Sequence, residues 1–230
     1  GALKNLDRGE TQPGQKDQQA GYVRHATTVF PGTTHRPDAH QGDRRLGEEA
    51  DRALDAAVMK LQAAAGRYVY GGEGADLAEM VLAACRRRGV TLAVAESCTG
   101  GMLGARITAV AGSSDVFLGG VLAYDNRVKR EILGVSDHDL ELHGAVSGEV
   151  ASRMAESVRT LLHATIGIGI TGVAGPGGGT AEKPVGMVWV GMDGIAPEAR
   201  CLRLFGTREE IRQRAVQAAL DMVRRALATN

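Results

Sequence analysis

From residue 90 onward, short apolar runs alternate with amphipathic stretches, and this alternation limits the fold more than anything else in the chain. Residues 90–95, 116–124, 166–170, 185–192 and 199–205 read as strands. Helical periodicity marks residues 76–88, 102–110, 126–133 and 149–164, and a last helix running from Thr207 to near residue 228. Ser136-Asp137-His138-Asp139 has capping-box spacing and opens one more short helix, and Thr207 with Glu210 makes a second box. Such a pattern predicts an α/β fold, a three-layer α/β/α sandwich around a central, mostly parallel or mixed sheet. Upstream, residues 1–45 carry little apolar periodicity and read as a flexible N-terminal tail, with one short strand over 23–30. Residues 46–65 repeat apolar side chains at helical spacing, and a turn-rich connector follows to Gly74. Residues 75–230 form the main domain.

Charge narrows the function. Lysine plus arginine and aspartate plus glutamate are 27 each, so the basic excess expected of a direct nucleic-acid binder is missing. The one tight basic cluster, Arg86-Arg87-Arg88, precedes Gly89 at a helix C-terminus, where cations complement the helix dipole. Three scattered cysteines give neither a disulfide framework nor zinc spacing. No run of 18 apolar residues and no signal peptide is visible, so cytoplasmic residence without membrane attachment is expected.

The stretch Ala95-Glu96-Ser97-Cys98-Thr99-Gly100-Gly101 joins a strand to a helix. A serine at such a turn projects its hydroxyl from the sheet edge, and the adjoining helix N-terminus offers unpaired N–H groups. Ser97 and Cys98 are rival nucleophiles, and Ser97 is favoured because Cys98 can pack inward as a small hydrophobe. No histidine is suitably placed as its base. His138 and His143 do not share a helix face, so a metal pair is not expected. Lys129 and Tyr124 reach the same cleft if their strand neighbours that of Ser97. Otherwise they are a solvated lysine and a strand-end aromatic. The loop 171–180 carries Gly172, Gly175, Gly177, Gly178 and Gly179 after a strand and reads equally as a phosphate cradle or a surface loop. Lys183 follows it as a further cation.

The motifs ESCTGG, GSSDVFLGGVLAYDNRVK, LGV, HGAVS and ITGVAGPGGGTAEKPVG, in this order, resemble the CinA C-terminal domain family, that of the nicotinamide-nucleotide amidases. The resemblance covers residues 76–228, and residues 46–74 look like the end of that family's middle region. It implies deamidation of nicotinamide mononucleotide to nicotinate mononucleotide and ammonia, in a homo-oligomer, without metal or cofactor. It implies Ser97 as nucleophile, Lys129 as its partner acting directly or through Tyr124, and Thr171 as a further active-site residue. Gly100 and Gly101 are then the oxyanion donors. The glycine segment, with Gly172, Gly175, Gly177 and Gly178, binds substrate together with one arginine of the last helix, Arg212 or Arg208. The alternative is a catalytically inactive nucleotide-binding or protein-docking module. Asp125 and Met187 depart from the commoner serine and threonine of the family.

Overall fold

The structure, a computed structural model, describes residues 39–66, 69 and 74–228. The expected strand at 23–30, the tail before residue 39 and most of the connector lie outside the described residues. The chain divides into two compact units, Gly1–Ala64 and Ala65–Asn230. Helix α1 (Ala39–Ala65) begins well before residue 46, where the sequence reading ends its tail. Residues 39–45 contain no proline, and polar residues extend a helix without supplying an apolar face.

The second unit runs α2 (Leu77–Arg88), β1 (Leu92–Glu96), α3 (Met102–Thr108), β2 (Phe117–Leu122), α4 (Asn126–Glu131), α5 (Asp137–His143), α6 (Gly148–Leu161), β3 (Ile166–Gly172), β4 (Met187–Asp193), β5 (Glu198–Arg203) and α7 (Arg208–Ala228). Polar side chains start most of these helices, whereas α3 has Gly101 at its N-cap. Asp76 accepts from the Glu79 N–H at 3.0 Å and Ser136 from the Asp139 N–H at 2.9 Å. Thr207 and Glu210 cap each other reciprocally at 2.8 and 3.3 Å. Gly89 ends α2 with φ +62°, in the left-handed region that a side chain disfavours. Arg86 grips the Asp115 carboxylate with two N–H groups, at 2.7 and 3.0 Å, and Arg88 donates to the Leu227 carbonyl at 3.0 Å. Two of the three arginines of the basic cluster are therefore engaged with the fold.

The sheet is mixed, in the order β2-β1-β3-β4-β5. β1 pairs in parallel with both β2 and β3, whereas β3–β4 and β4–β5 are antiparallel. Leu92, Val94, Ile166, Ile168, Ile170, Val188 and Val190 face one layer, α2, α3 and α7, which contributes Leu82, Leu103, Ile107, Ile211 and Leu220. Ala93 and Ala95 face the other layer, with Leu133, Val150, Met154 and Val158. Burying each such leucine, isoleucine or valine stabilises the fold by about 1.5–3 kcal/mol. β3 reads Ile-Gly-Ile-Gly-Ile, and a Cβ at Gly167 or Gly169 would stand 2.0 Å from the Ala155 carbonyl oxygen or 2.2 Å from that of Ala151. Helix α6 therefore lies directly on the sheet backbone.

The topology also places the site. From β1 the chain passes through α3 to β2 on one side. From β2 it returns through α4, α5 and α6 to β3 on the other. The two connections part at the C-terminal end of β1, where an open α/β sheet leaves a crevice. Among the described residues no helix is long and apolar enough to cross a membrane.

Candidate active site

All five residues of β1 are buried, so this strand carries its end rigidly into the crevice. The Ser97 N–H still pairs with the Ile170 carbonyl at 2.9 Å, one rung beyond β1. The chain then turns. The Gly100 N–H closes onto the Ser97 carbonyl at 3.0 Å, and Gly100 and Gly101 take φ +59° and +91°, which explains two glycines in succession. Ser97 is 8 % exposed. Its neighbour Cys98 is also buried, and that burial pushes its thiol up to about 11, so it is protonated at neutral pH.

Ser97 and Cys98 share a cavity of about 210 Å³ with Tyr124, Asn126, Lys129 and Arg208, and the loops around Ala145 and Thr171 complete its wall. The register of β1 against β2 brings Tyr124 and Lys129 here, since Glu96 stands opposite Leu122. Asp125 caps α4 by accepting from the Arg127 N–H at 2.7 Å, and Lys129 lies one turn further on. Lys129 is 2 % exposed. Its Nζ donates to the Ala123 carbonyl at 2.8 Å and to the Tyr124 carbonyl at 3.5 Å. Burial pushes its pKa below the ordinary lysine value, partly offset by the charge of Asp125.

The Tyr124 hydroxyl is engaged with α7. It accepts from Arg208 Nη2 at 3.0 Å, and Lys129 meets the backbone carbonyl of Tyr124 instead. Arg208 Nη1 donates to the Gly175 carbonyl at 2.6 Å, so one guanidinium ties the end of β2 to the glycine loop. Of the two candidate arginines, Arg208 is the one in the cavity wall. Arg212 points to the elbow and donates to the Thr99 carbonyl at 2.7 Å. Arg208 and Arg212, four residues apart, lie on one side of α7, Arg208 at the cavity and Arg212 one turn further along at the elbow.

Thr171, the penultimate residue of β3, donates its hydroxyl to the Ala145 carbonyl at 2.7 Å and fixes the 144–146 loop against the sheet. Of the loop glycines, Gly172 lines the cavity, Gly175 anchors Arg208, and Gly177 and Gly178 are exposed and outside the wall. Lys183 binds the His143 carbonyl and ties the loop to the end of α5. Among the described residues no group of three or more His, Cys, Asp and Glu is placed to hold a metal ion.

The expected oxyanion donors are already engaged. The Gly101 N–H donates to Glu96 Oε2 at 3.1 Å, and that of Gly100 to Ser97. Glu96 is 1 % exposed and also accepts from the N–H groups of Leu103 and Gly104, at 3.0 and 2.8 Å. Sequence reasoning passed over Glu96, Asn126 and Val146. A carboxylate ending an otherwise apolar strand and standing just before a glycine turn was the available signal for the first. Asn126 and Val146 gave none.

Comparison with known proteins agrees with this architecture. The family model described as CinA C-terminal domain matches residues 74–227. A CinA-like protein of Gemmatimonas aurantiaca is 54 % identical over 182 residues, which cover 78 % of this chain and 42 % of that protein. One from Rippkaea orientalis is 48 % identical over 189 residues, covering 80 % and 45 %. The chain thus spans less than half the length of these relatives. Among solved structures, a competence/damage inducible protein CihA from Agrobacterium tumefaciens superposes with TM-score 0.65 at 37 % identity, covering 70 % of this chain and 99 % of that one. A CinA superfamily protein from Klebsiella pneumoniae superposes with TM-score 0.64 at 35 % identity, covering 66 % and 96 %. The chain belongs to the CinA C-terminal domain family.

Proposed function

We propose that this domain is an amide hydrolase that deamidates nicotinamide mononucleotide through Ser97 and Lys129. The observation that carries the reading is the placement of Lys129, buried in the wall of the cavity that also holds Ser97. A neutral amine has two N–H bonds and one lone pair. The two carbonyls, of Ala123 and Tyr124, match the two N–H bonds and leave the lone pair to accept a proton. Burial favours that neutral form, and Ser97 lies in the same cavity wall.

The chemistry then balances as follows. Ser97 Oγ bonds to the carboxamide carbon as its proton passes to Lys129, and the carbonyl oxygen takes up the negative charge. The C–N bond breaks, and the Lys129 ammonium returns that proton to the leaving nitrogen, which departs as ammonia. Water attacks the acyl-enzyme carbon as its proton passes to Lys129, the ester C–O bond breaks as Lys129 returns that proton to Ser97 Oγ, and the carboxylic acid formed loses its proton to solvent as the carboxylate. Arg208, at the cavity wall and held by two neutral acceptors, is the cation suited to the phosphate of the substrate. The test is ammonia release from nicotinamide mononucleotide by the purified protein and by Ser97→Ala. Release by the wild type and not by the variant is expected. Tight nucleotide binding with no release by either would favour a non-catalytic binding module.

A further inference from the structure

The helix end beside Ser97 is filled from within. One oxygen of Glu96 accepts from Gly101 and Leu103 and the other from Gly104, while Gly100 donates to Ser97. Two N–H groups of the turn, those of Cys98 and Thr99, donate to no backbone carbonyl. Cys98 is the one in the cavity wall. Glu96 also closes the strand side of the turn. Its carbonyl accepts from the Ala123 N–H at 2.8 Å, and its backbone pairs with both β2 and β3. One residue therefore locks the end of β1 to the start of α3, with the turn stretched between its backbone and its carboxylate.

We infer that Glu96 is a positioning residue, which fixes the 97–101 turn so that the Cys98 N–H becomes the oxyanion donor for the Ser97 reaction. The inference rests on Ser97 being the nucleophile, as in the reading above, but not on the identity of the amide. A donor next to the nucleophile meets the tetrahedral oxygen without any rearrangement of the chain, and one such donor is worth roughly 10²–10³ in rate. Both Glu96 oxygens act as acceptors, so the NH₂ of a glutamine would meet a backbone N–H head on. Glu96→Gln should therefore behave like Glu96→Ala and not as a silent change.

Two rates are measured on the whole chain: acylation of Ser97 by p-nitrophenyl acetate, followed by mass and burst, and ammonia release from nicotinamide mononucleotide. In folded Glu96→Gln both rates should fall about 10²-fold, with KM within about threefold of the wild type. Rates within threefold of the wild type in a folded variant, or a loss confined to KM, would overturn the inference. A backbone ester at residue 98, made with lactic acid and compared with Cys98→Ala, replaces the N–H by oxygen, weakens the Ser97 carbonyl that accepts from Gly100, and tests the donor assignment if Glu96→Gln does not fold. It should lose about 10²-fold against Cys98→Ala, and equal rates would overturn the inference. A wild type that is acylated at Ser97 yet releases no ammonia would defeat the nucleotide reading and leave the donor assignment standing. A wild type that is never acylated at Ser97 would defeat the donor assignment.

Discussion

Removing the Ser97 hydroxyl takes one oxygen from a turn whose shape is held by backbone bonds and by the Glu96 carboxylate, so Ser97→Ala should fold normally. Its deamidation rate should drop on the order of 10³-fold or more. Cys98→Ser should keep most of the activity, because the thiol, pushed up to about 11, is not the thiolate a nucleophile requires. Steady-state ammonia assays on the two variants check both, and loss in Cys98→Ser alone would move the nucleophile to residue 98. Lys129 gives a prediction in pH. Its pKa lies below the ordinary lysine value near 10.5, so the unprotonated form grows as pH rises and the rate climbs along an acid limb below that value. Lys129→Arg keeps a charge that does not deprotonate and should be nearly as damaging as Lys129→Ala, about 10²-fold or more. Retention of most activity in the arginine variant would make Lys129 an electrostatic contact and leave the base unassigned.

At the scale of elements, the seat of α6 is the sharpest stability test. Gly169→Ala places a methyl 2.2 Å from the Ala151 carbonyl and 2.8 Å from the Ala155 nitrogen, so α6 must lift from the sheet. A loss of about 1–3 kcal/mol or more in urea unfolding is expected. Gly177→Ala meets nothing within 4 Å and should stay within about 0.5 kcal/mol. The α2 cap carries a pH signature. The Glu79 N–H above all holds the Asp76 carboxyl below its ordinary 3.8, with Arg106 assisting. A depressed carboxyl stabilises the fold above its unfolded pKa, and that contribution disappears as pH falls through the folded value. Asp76→Ala should cost about 1 kcal/mol at pH 7 and progressively less below pH 4, by denaturation at the two pH values. Most elements were legible because strands and helices announce themselves by periodicity and caps. The boundaries of α5 and α7 follow from Ser136 and from Thr207 with Glu210. The antiparallel direction of β4 was not legible, since a buried run reads alike in either direction. The site was half legible. Ser97 and Lys129 share a cavity, but the engaged state of Gly100 and Gly101 depends on where one carboxylate turns, and the choice of Arg208 over Arg212 depends on which turn of α7 reaches the cavity.

For the whole molecule, every residue of the candidate site belongs to the unit Ala65–Asn230. A chain shortened to residues 66–230 should therefore keep the full rate of ammonia release and its melting temperature, read by calorimetry. A large drop in rate would show that the upstream residues contribute to the site. Helix α7 carries a different consequence. It is the last of the described elements, yet Leu220 and Val223 share the core with Leu82 of α2, and Arg208 ties Tyr124 to Gly175. On the ribosome, at roughly 5–20 residues per second, the sheet is therefore complete before the helix that covers one of its faces has emerged. Until then Ile168, Ile170 and Val190 lack part of their cover, and nascent chains arrested before residue 208 should be the ones that chaperones hold.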